Sequence, residues 1–283
     1  MSAGALALLA AVLFALGSVL QQRGALAAPP ATSSGFLRSI LGNLTWLAGA
    51  ASQGLGWAAQ GVALDRGGLY EVQLIISLQV VIALPLGVVL TAQRVTRKEW
   101  LGAGAVVIGL GAFVVLADPA SGRSSAPAEI WLLAAAIAAG LAAALVWVGL
   151  RASPAERAAL LAAAAGVLFG FQAAVTKVFV GVVGDGLGAI LSSWSTYGLI
   201  VSAVLGFYLM QTSLQAGVLA ATVSASNAST TVTSLALGRF VFLETPSRTV
   251  GGKIASVAAI ALALSGLLAI ARGAGRGPEQ ARY

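Results

Sequence analysis

Apolar residues run along this chain in blocks of roughly 20, parted by short clusters of breakers and charges. Such a block is what an α-helix, rising ~1.5 Å per residue, needs to cross a hydrocarbon core ~30 Å thick. In lipid the backbone amides must be satisfied within the protein, so the blocks are helices or strands of a closed barrel. Barrel strands alternate apolar and polar positions over about ten residues; residues 132–150 and 254–270 show no alternation. The pattern predicts an all-α, polytopic transmembrane bundle with nine spans, at 3–22, 44–64, 68–92, 98–117, 129–150, 157–181, 188–210, 216–243 and 251–271. Loops are expected at Pro29-Pro30, from Arg94 to Glu99, from Asp118 to Pro127 and from Glu244 to Arg248. Residues 272–283, Gly-rich and basic, read as a disordered tail.

Within this pattern an internal repeat emerges. Leu6, Ala7, Ala10, Val12, Leu13 and Phe14 recur as Leu161, Ala162, Ala165, Val167, Leu168 and Phe169. Val95-Thr96-Arg97 before the fourth span is echoed by Pro246-Ser247-Arg248 before the ninth. Spans one to four therefore pair with spans six to nine. That makes 1–117 a first repeat, 118–156 a linking helix with its loops, and 157–271 a second repeat. Five crossings separate the first span from its counterpart, so the two repeats are expected to lie inverted in the bilayer, as in many secondary transporters.

Composition sharpens the picture. Charged residues make up 9% of the chain and mean hydropathy is +0.95, far from the ~25% charged residues of a soluble domain. The net charge of +7 is spread singly between apolar runs, which fits anchoring of spans and argues against nucleic-acid binding. The chain has no Cys and no His. Disulfides, thiolate clusters, and most zinc and haem chemistry are thereby excluded, as is a Ser/His/Asp triad. Gly251-Gly252-Lys253-Ile254 lacks the spacing of a phosphate loop. Neither an enzyme nor a cofactor or metal site is expected. Ala25-Leu26-Ala27 resembles a signal cleavage site, but no positive charge precedes the apolar run, so the first span reads as retained. Ten Lys and Arg fall on the side of loops one, three, five and seven, against six on the other. The balance predicts a multi-pass cell-membrane protein with a cytoplasmic C-terminus.

Small residues mark helix packing: Gly251, Ala255, Ala259 and Ala263 on span nine, and Gly104, Ala105, Gly109 and Ala112 on span four. Span eight is unusually polar. Thr222, Ser226, Ser229, Thr230 and Thr233 share one arc, with Ser224, Asn227, Thr231 and Ser234 beside it. Hydroxyls can bond their own i−4 carbonyls, so helix packing is one reading. The Asn227 amide cannot be satisfied in that way and favours a cavity lining. Span three carries Tyr70, Glu71, Gln73, Ser77 and Gln79. Glu71 either sits deep in the membrane, where a charge is kept for function, or one turn inside the span, where the helix dipole favours an anion. Lys177, aligned with Gln22 across the repeat, is expected to snorkel to the interface, with contact to a substrate as the alternative. Gln53, Trp57 and Gln60 lie on one face of span two, with Trp57 at mid-span.

The chain resembles the drug/metabolite transporter superfamily, in the branch that includes the NIPA-type magnesium transporters. The resemblance rests on Leu20-Gln21-Gln22-Arg23-Gly24 at the end of the first span and on Gln211 to Gly217 entering span eight. It rests also on Leu243-Glu244-Thr245-Pro246-Ser247 with Gly251-Gly252 before the last helix. The first repeat departs from the pattern, with Gln93 where the signature Glu is expected. The resemblance implies transport by alternating access. The expectation is a secondary transporter or exporter of a small solute, its site lined by Trp57, Gln60, Glu71, Gln73, Gln172, Ser226, Asn227 and Thr230. Glu71 would couple transport to a proton or cation. Membrane lipids and a second copy of the chain complete the expected partners. The alternatives are a magnesium transporter, which needs clustered carboxylate oxygens, a translocator of lipid or lipid-linked sugar, and a membrane subunit of a larger assembly.

Overall fold

The computed structural model describes residues 1–26, 42–91, 95–116, 122–216, 219–247 and 249–274. Pro29, Pro30, Gln93, Arg94, Asp118, Gly217, Arg248 and the tail beyond Ala274, all singled out above, lie outside the described residues. The regular structure is helical: α1 (Ala3–Leu26), α2 (Leu44–Arg66), α3 (Leu69–Ile76), α4 (Leu78–Thr91), α5 (Arg97–Leu116), α6 (Ala128–Gly149), α7 (Pro154–Val183), α8 (Leu187–Ser192), α9 (Trp194–Ala216), α10 (Leu219–Phe240) and α11 (Val250–Ala274). Five stretches are long and apolar enough to cross a bilayer: Ala3–Gly24, Leu69–Thr91, Ala128–Gly149, Glu156–Val183 and Val250–Ile270. Their uncovered faces agree with that solvent. Leu132, Leu133 and Ile137 on α6 are 71%, 61% and 60% exposed, a surface that suits lipid and not water. The chain is an all-α membrane protein.

Helix occupies the greater part of every predicted segment, but two segments are interrupted. The run at 68–92 breaks at Ser77, whose N–H bonds both Gln73 O (3.1 Å) and Leu74 O (3.2 Å). The Ser77 hydroxyl takes Leu74 O as well, at 2.6 Å, so the tightened turn leaves its carbonyls paired in a region without water. The run at 188–210 breaks at Ser193, which is extended (φ −75, ψ 132). Helix α7 begins earlier than expected because Glu156 reaches back to the Ser153 N–H at 3.1 Å, one arm of a capping box. Helix α11 continues to Ala274, into residues read from the sequence as tail.

Four close helix pairs build the bundle: α1–α2, α5–α11, α7–α9 and α7–α10. Helix α1 packs on α2 where the backbones meet: a β-carbon on Gly17 would lie 2.9 Å from Gly49 O. The pair is tied by Ser52 Oγ donating to Leu13 O (2.8 Å) and Gln53 Nε2 donating to Ser18 Oγ (3.1 Å). Asn43 caps α2 by accepting from Thr45 N and Trp46 N. Helix α5 packs on α11, with Gly102 against Gly266 and Gly109 against Ala259 and Ala263. The small-residue stripes expected on these two helices are thus partly shifted. Gly109, Ala259 and Ala263 are in the seam, whereas Gly104 and Gly251 face open space. Helix α7 packs on α10 through Gly166 and Gly170, a small-x-x-x-small pair that the sequence reading passed over. The lone helix α6 leans on α7 with Ala134, Ala138 and Ala142 buried.

Candidate functional site

The α7–α10 seam takes in half of the polar arc on α10. A β-carbon on Gly170 would meet Thr233 Cβ at 2.6 Å and Thr230 O at 2.8 Å, and one on Gly166 would strike Ser226 O and Ser229 Cβ. Thr230 Oγ1 donates to Ser226 O at 2.8 Å, the i−4 pattern that satisfies a hydroxyl in its own helix. The backbone carbonyls of Ser226 and Thr230 thus lie in this seam.

The adjoining arc faces elsewhere. Asn227, Thr231, Ser234 and Gly238 fall at i, i+4, i+7 and i+11, and a β-carbon on Gly238 would lie 2.7 Å from the Tyr70 ring. Leu235 shares a core cluster with Tyr70 and Leu74. This stripe thus turns toward α3, with Tyr70 against Gly238 and Leu74 in one cluster with Leu235. The polar members are buried: Gln73 is 2% exposed, Ser77 1%, Thr231 2% and Ser234 0%. Thr231 bonds back to Asn227 O at 2.9 Å. Gln73 Nε2 and Ser234 Oγ, in contrast, have no hydrogen-bond partner among the described residues. An unpaired buried donor costs about 1–3 kcal/mol. Gln22 Oε1 and Ser224 Oγ are unpaired in the same way among the described residues.

One turn outward lies the feature the sequence reading missed. Glu244 is buried and its carboxylate takes three donors. Oε1 accepts Leu69 N (2.8 Å) and Lys177 Nζ (2.5 Å), and Oε2 accepts Tyr70 N (2.9 Å). The acid thereby caps the free N–H groups at the start of α3 while paired with a base from α7. Lys177 does not snorkel outward; it turns inward, its Nζ also 4.8 Å from the Phe242 ring centroid. Local backbone aims the acid. Leu243 adopts a left-handed conformation (φ 59), ending α10 so that the Glu244 N–H returns to Gly238 O at 2.9 Å. Arg123 fixes the same turn from the other side, its N–H and Nε donating to Phe242 O (2.7 Å) and Val241 O (2.6 Å). Beneath it Trp131 stacks among Trp194 (4.9 Å), Phe242 (5.8 Å) and Phe171 (6.1 Å). Lys177, Glu244 and the α3 amides form a latch over an aromatic plug.

The remaining expected residues do not gather at this centre. Glu71 lies in the first turn of α3, its carboxylate facing Gly4 and Gly67 beside the start of α1. That is the helix-start position, not mid-membrane depth. Gln172 is buried on α7, and its backbone carbonyl accepts from Thr176 Oγ1 at 2.8 Å. Gln60 is half-buried on α2 and Trp57 is 45% exposed. Only Gln73 and Asn227 of the eight lie on the facing stripes of α3 and α10. A Lys177–Glu244 partnership was within reach of the sequence, since both residues stood out individually; what hid it was the 67 residues between them. Among the described residues no three Asp or Glu side chains gather as a metal cluster would.

No family model matches the chain, and no solved structure does. The chain is similar to an uncharacterized protein of Corynebacterium glutamicum, 29% identical over 241 residues that cover 84% of this chain and 83% of that protein.

Proposed function

We propose that the protein is a secondary transporter of a small solute, working by alternating access between two four-span units, α1–α5 and α7–α11. In this reading α3 with α4 and α8 with α9 each make one interrupted span. The total is nine, the units are inverted repeats, and the C-terminus is cytoplasmic. The resemblance to the drug/metabolite transporter superfamily belongs to the same proposal. The observation that carries it is the latch: Glu244 and Lys177 from the second unit hold the start of α3 in the first by breakable polar contacts. A structural pin between two rigid units has no need of a buried ion pair, whose desolvation offsets most of its attraction. A gate that must open has such a need. Support for the repeat comes from packing: Phe14 of α1 lies against Gly56 of α2, a β-carbon there meeting the ring at 2.7 Å, and Phe169 of α7 lies against Gly206 of α9 at 2.8 Å. Phe14 and Phe169 are repeat counterparts in the sequence. The interruption at Ser77 fits the broken helices on which transporters build their sites.

Gly61 of α2 and Val180 of α7 meet near the latch, with 3.4 Å between a β-carbon on Gly61 and Val180 Cγ2. Cysteines at the two positions come within reach of an oxidative cross-link, and the chain has no native Cys. In liposomes, Gly61→Cys/Val180→Cys protein is expected to lose at least ~90% of its flux on oxidation and to regain it on reduction. The solutes to be offered are radiolabelled polyols, sugars, amides, amino acids and inorganic cations. Equal flux through the oxidised and reduced pair would contradict alternating access.

A further inference from the structure

The two units differ in the base that makes the latch. Lys177 on α7 corresponds to Gln22 on α1, at the offset that sets Leu161 to Phe169 on Leu6 to Phe14. Lys177 turns inward and pairs with Glu244; Gln22 carries an amide in its place and can form no ion pair. Its Oε1 is buried without a hydrogen-bond partner among the described residues. Arg23, the neighbouring base, is exposed, and Lys177–Glu244 is the one ion pair among the described residues. Helix α1 starts on the latch side, where Gly4 meets Glu71 of α3, so Gln22 lies about 27 Å further along the helix. Only one end of the bundle has a charged lock. We infer that the protein rests closed at the latch end and open at the opposite end, where α11 finishes. This resting state presupposes the transport reading above, in which the open end is cytoplasmic.

The helices show the same imbalance. At the latch end α2 closes on α7, a β-carbon on Gly61 lying 3.4 Å from Val180 Cγ2 and 3.9 Å from Thr176 Cγ2. Gly54 is on the same face of α2, two turns and about 10 Å further from the latch. A β-carbon there meets nothing within 4 Å among the described residues, and Trp57 and Ala58, between the two glycines, are exposed. Helix α2 thus parts from α7 away from the latch. The repeat counterparts of α2 and α7 are α9 and α1, which have no comparable approach among the described residues. Charge-assisted hydrogen bonds are roughly twice as strong as neutral ones. A contact made in one of two states moves the population toward that state, so the ionic end is shut at rest and the amide end is open.

Labelling of single cysteines in the full-length protein tests this state. Right-side-out and inside-out membrane vesicles are treated with a membrane-impermeant maleimide, and protease access to a C-terminal tag identifies the side on which α11 ends. Gly54→Cys is expected to react from that side at least ~5-fold faster than from the other. Gly61→Cys is expected to stay unreacted from both. Lys177→Gln, which gives α7 the residue of its counterpart, is expected to raise the reaction of Gly61→Cys from the latch side at least ~5-fold. Lys177→Gln/Glu244→Gln leaves no orphan charge and carries the same readout where gel filtration shows the single variant misfolded. Gly54→Cys that reacts faster from the latch side, or from neither side because its face meets lipid, overturns the assignment. So does Gly61→Cys that reacts in the otherwise unaltered protein, or that stays silent in both latch variants. Labelling requires no solute, so its failure and a failure of the flux test on the Gly61→Cys/Val180→Cys pair are separate results.

Discussion

At the residue scale the account turns on Glu244. A carboxylate with three donors is stable in a low-dielectric interior because each donor replaces a lost water. Removing one ion partner leaves the other buried and uncompensated, whereas removing both does not. Lys177→Met and Glu244→Gln are therefore each expected to lower stability by about 3–5 kcal/mol. The double variant is expected to recover part of that loss, because the orphan charge is gone. Chemical unfolding in detergent, arranged as a double-mutant cycle, measures the coupling. Strictly additive losses would mean that the two residues do not act as a pair. Sequence had singled out both of these side chains, Glu244 for its motif and Lys177 for its place in the repeat. What it could not supply was their contact, because buried charge pairing depends on which helices become neighbours.

At the scale of elements, close backbone approach replaces the hydrophobic drive that lipid does not provide. Gly170 and Gly166 admit Thr233, Ser229 and the α10 backbone so closely that any side chain displaces the helix. Gly166→Leu and Gly170→Leu are each expected to cost about 1–3 kcal/mol by parting α7 from α10. Gly140, on α6 with nothing within 4 Å of a β-carbon, is the matched control. Gly140→Leu should stay within about 0.5 kcal/mol. Thermal unfolding of the three variants in one detergent decides it, and equal losses would refute the seam. Helices were legible in the sequence because run length and the absence of alternation leave no other structure possible in lipid. Their interruptions were not: Ser77 and Ser193 look like any serine until a tightened turn or an extended φ and ψ marks them. The polar arc of α10 was legible as an arc. Its division into a packing face at Ser226 and Thr230 and a facing stripe at Asn227 and Ser234 awaited the position of α7.

At the scale of the whole molecule, the described contacts between the first and second units are of two kinds. The α5–α11 seam joins backbones through Gly102, Gly109 and Gly266 and has no polar lock to release. The other set gathers toward the latch: Glu244 on the α3 amides, Tyr70 on Gly238, and Gly61 on Val180. In the transport reading the seam stays shut and the latch end opens. Spin labels at Asp65→Cys, in the last turn of α2, and Asp185→Cys, just beyond α7, report that opening. Both positions are exposed and the chain has no native Cys. Double electron–electron resonance in lipid nanodiscs is expected to give one dominant short distance for the otherwise unaltered protein. Adding Glu244→Ala is expected to transfer population to a second, longer distance. One unchanged distance distribution in both proteins would contradict the claim that the latch holds two moving units together.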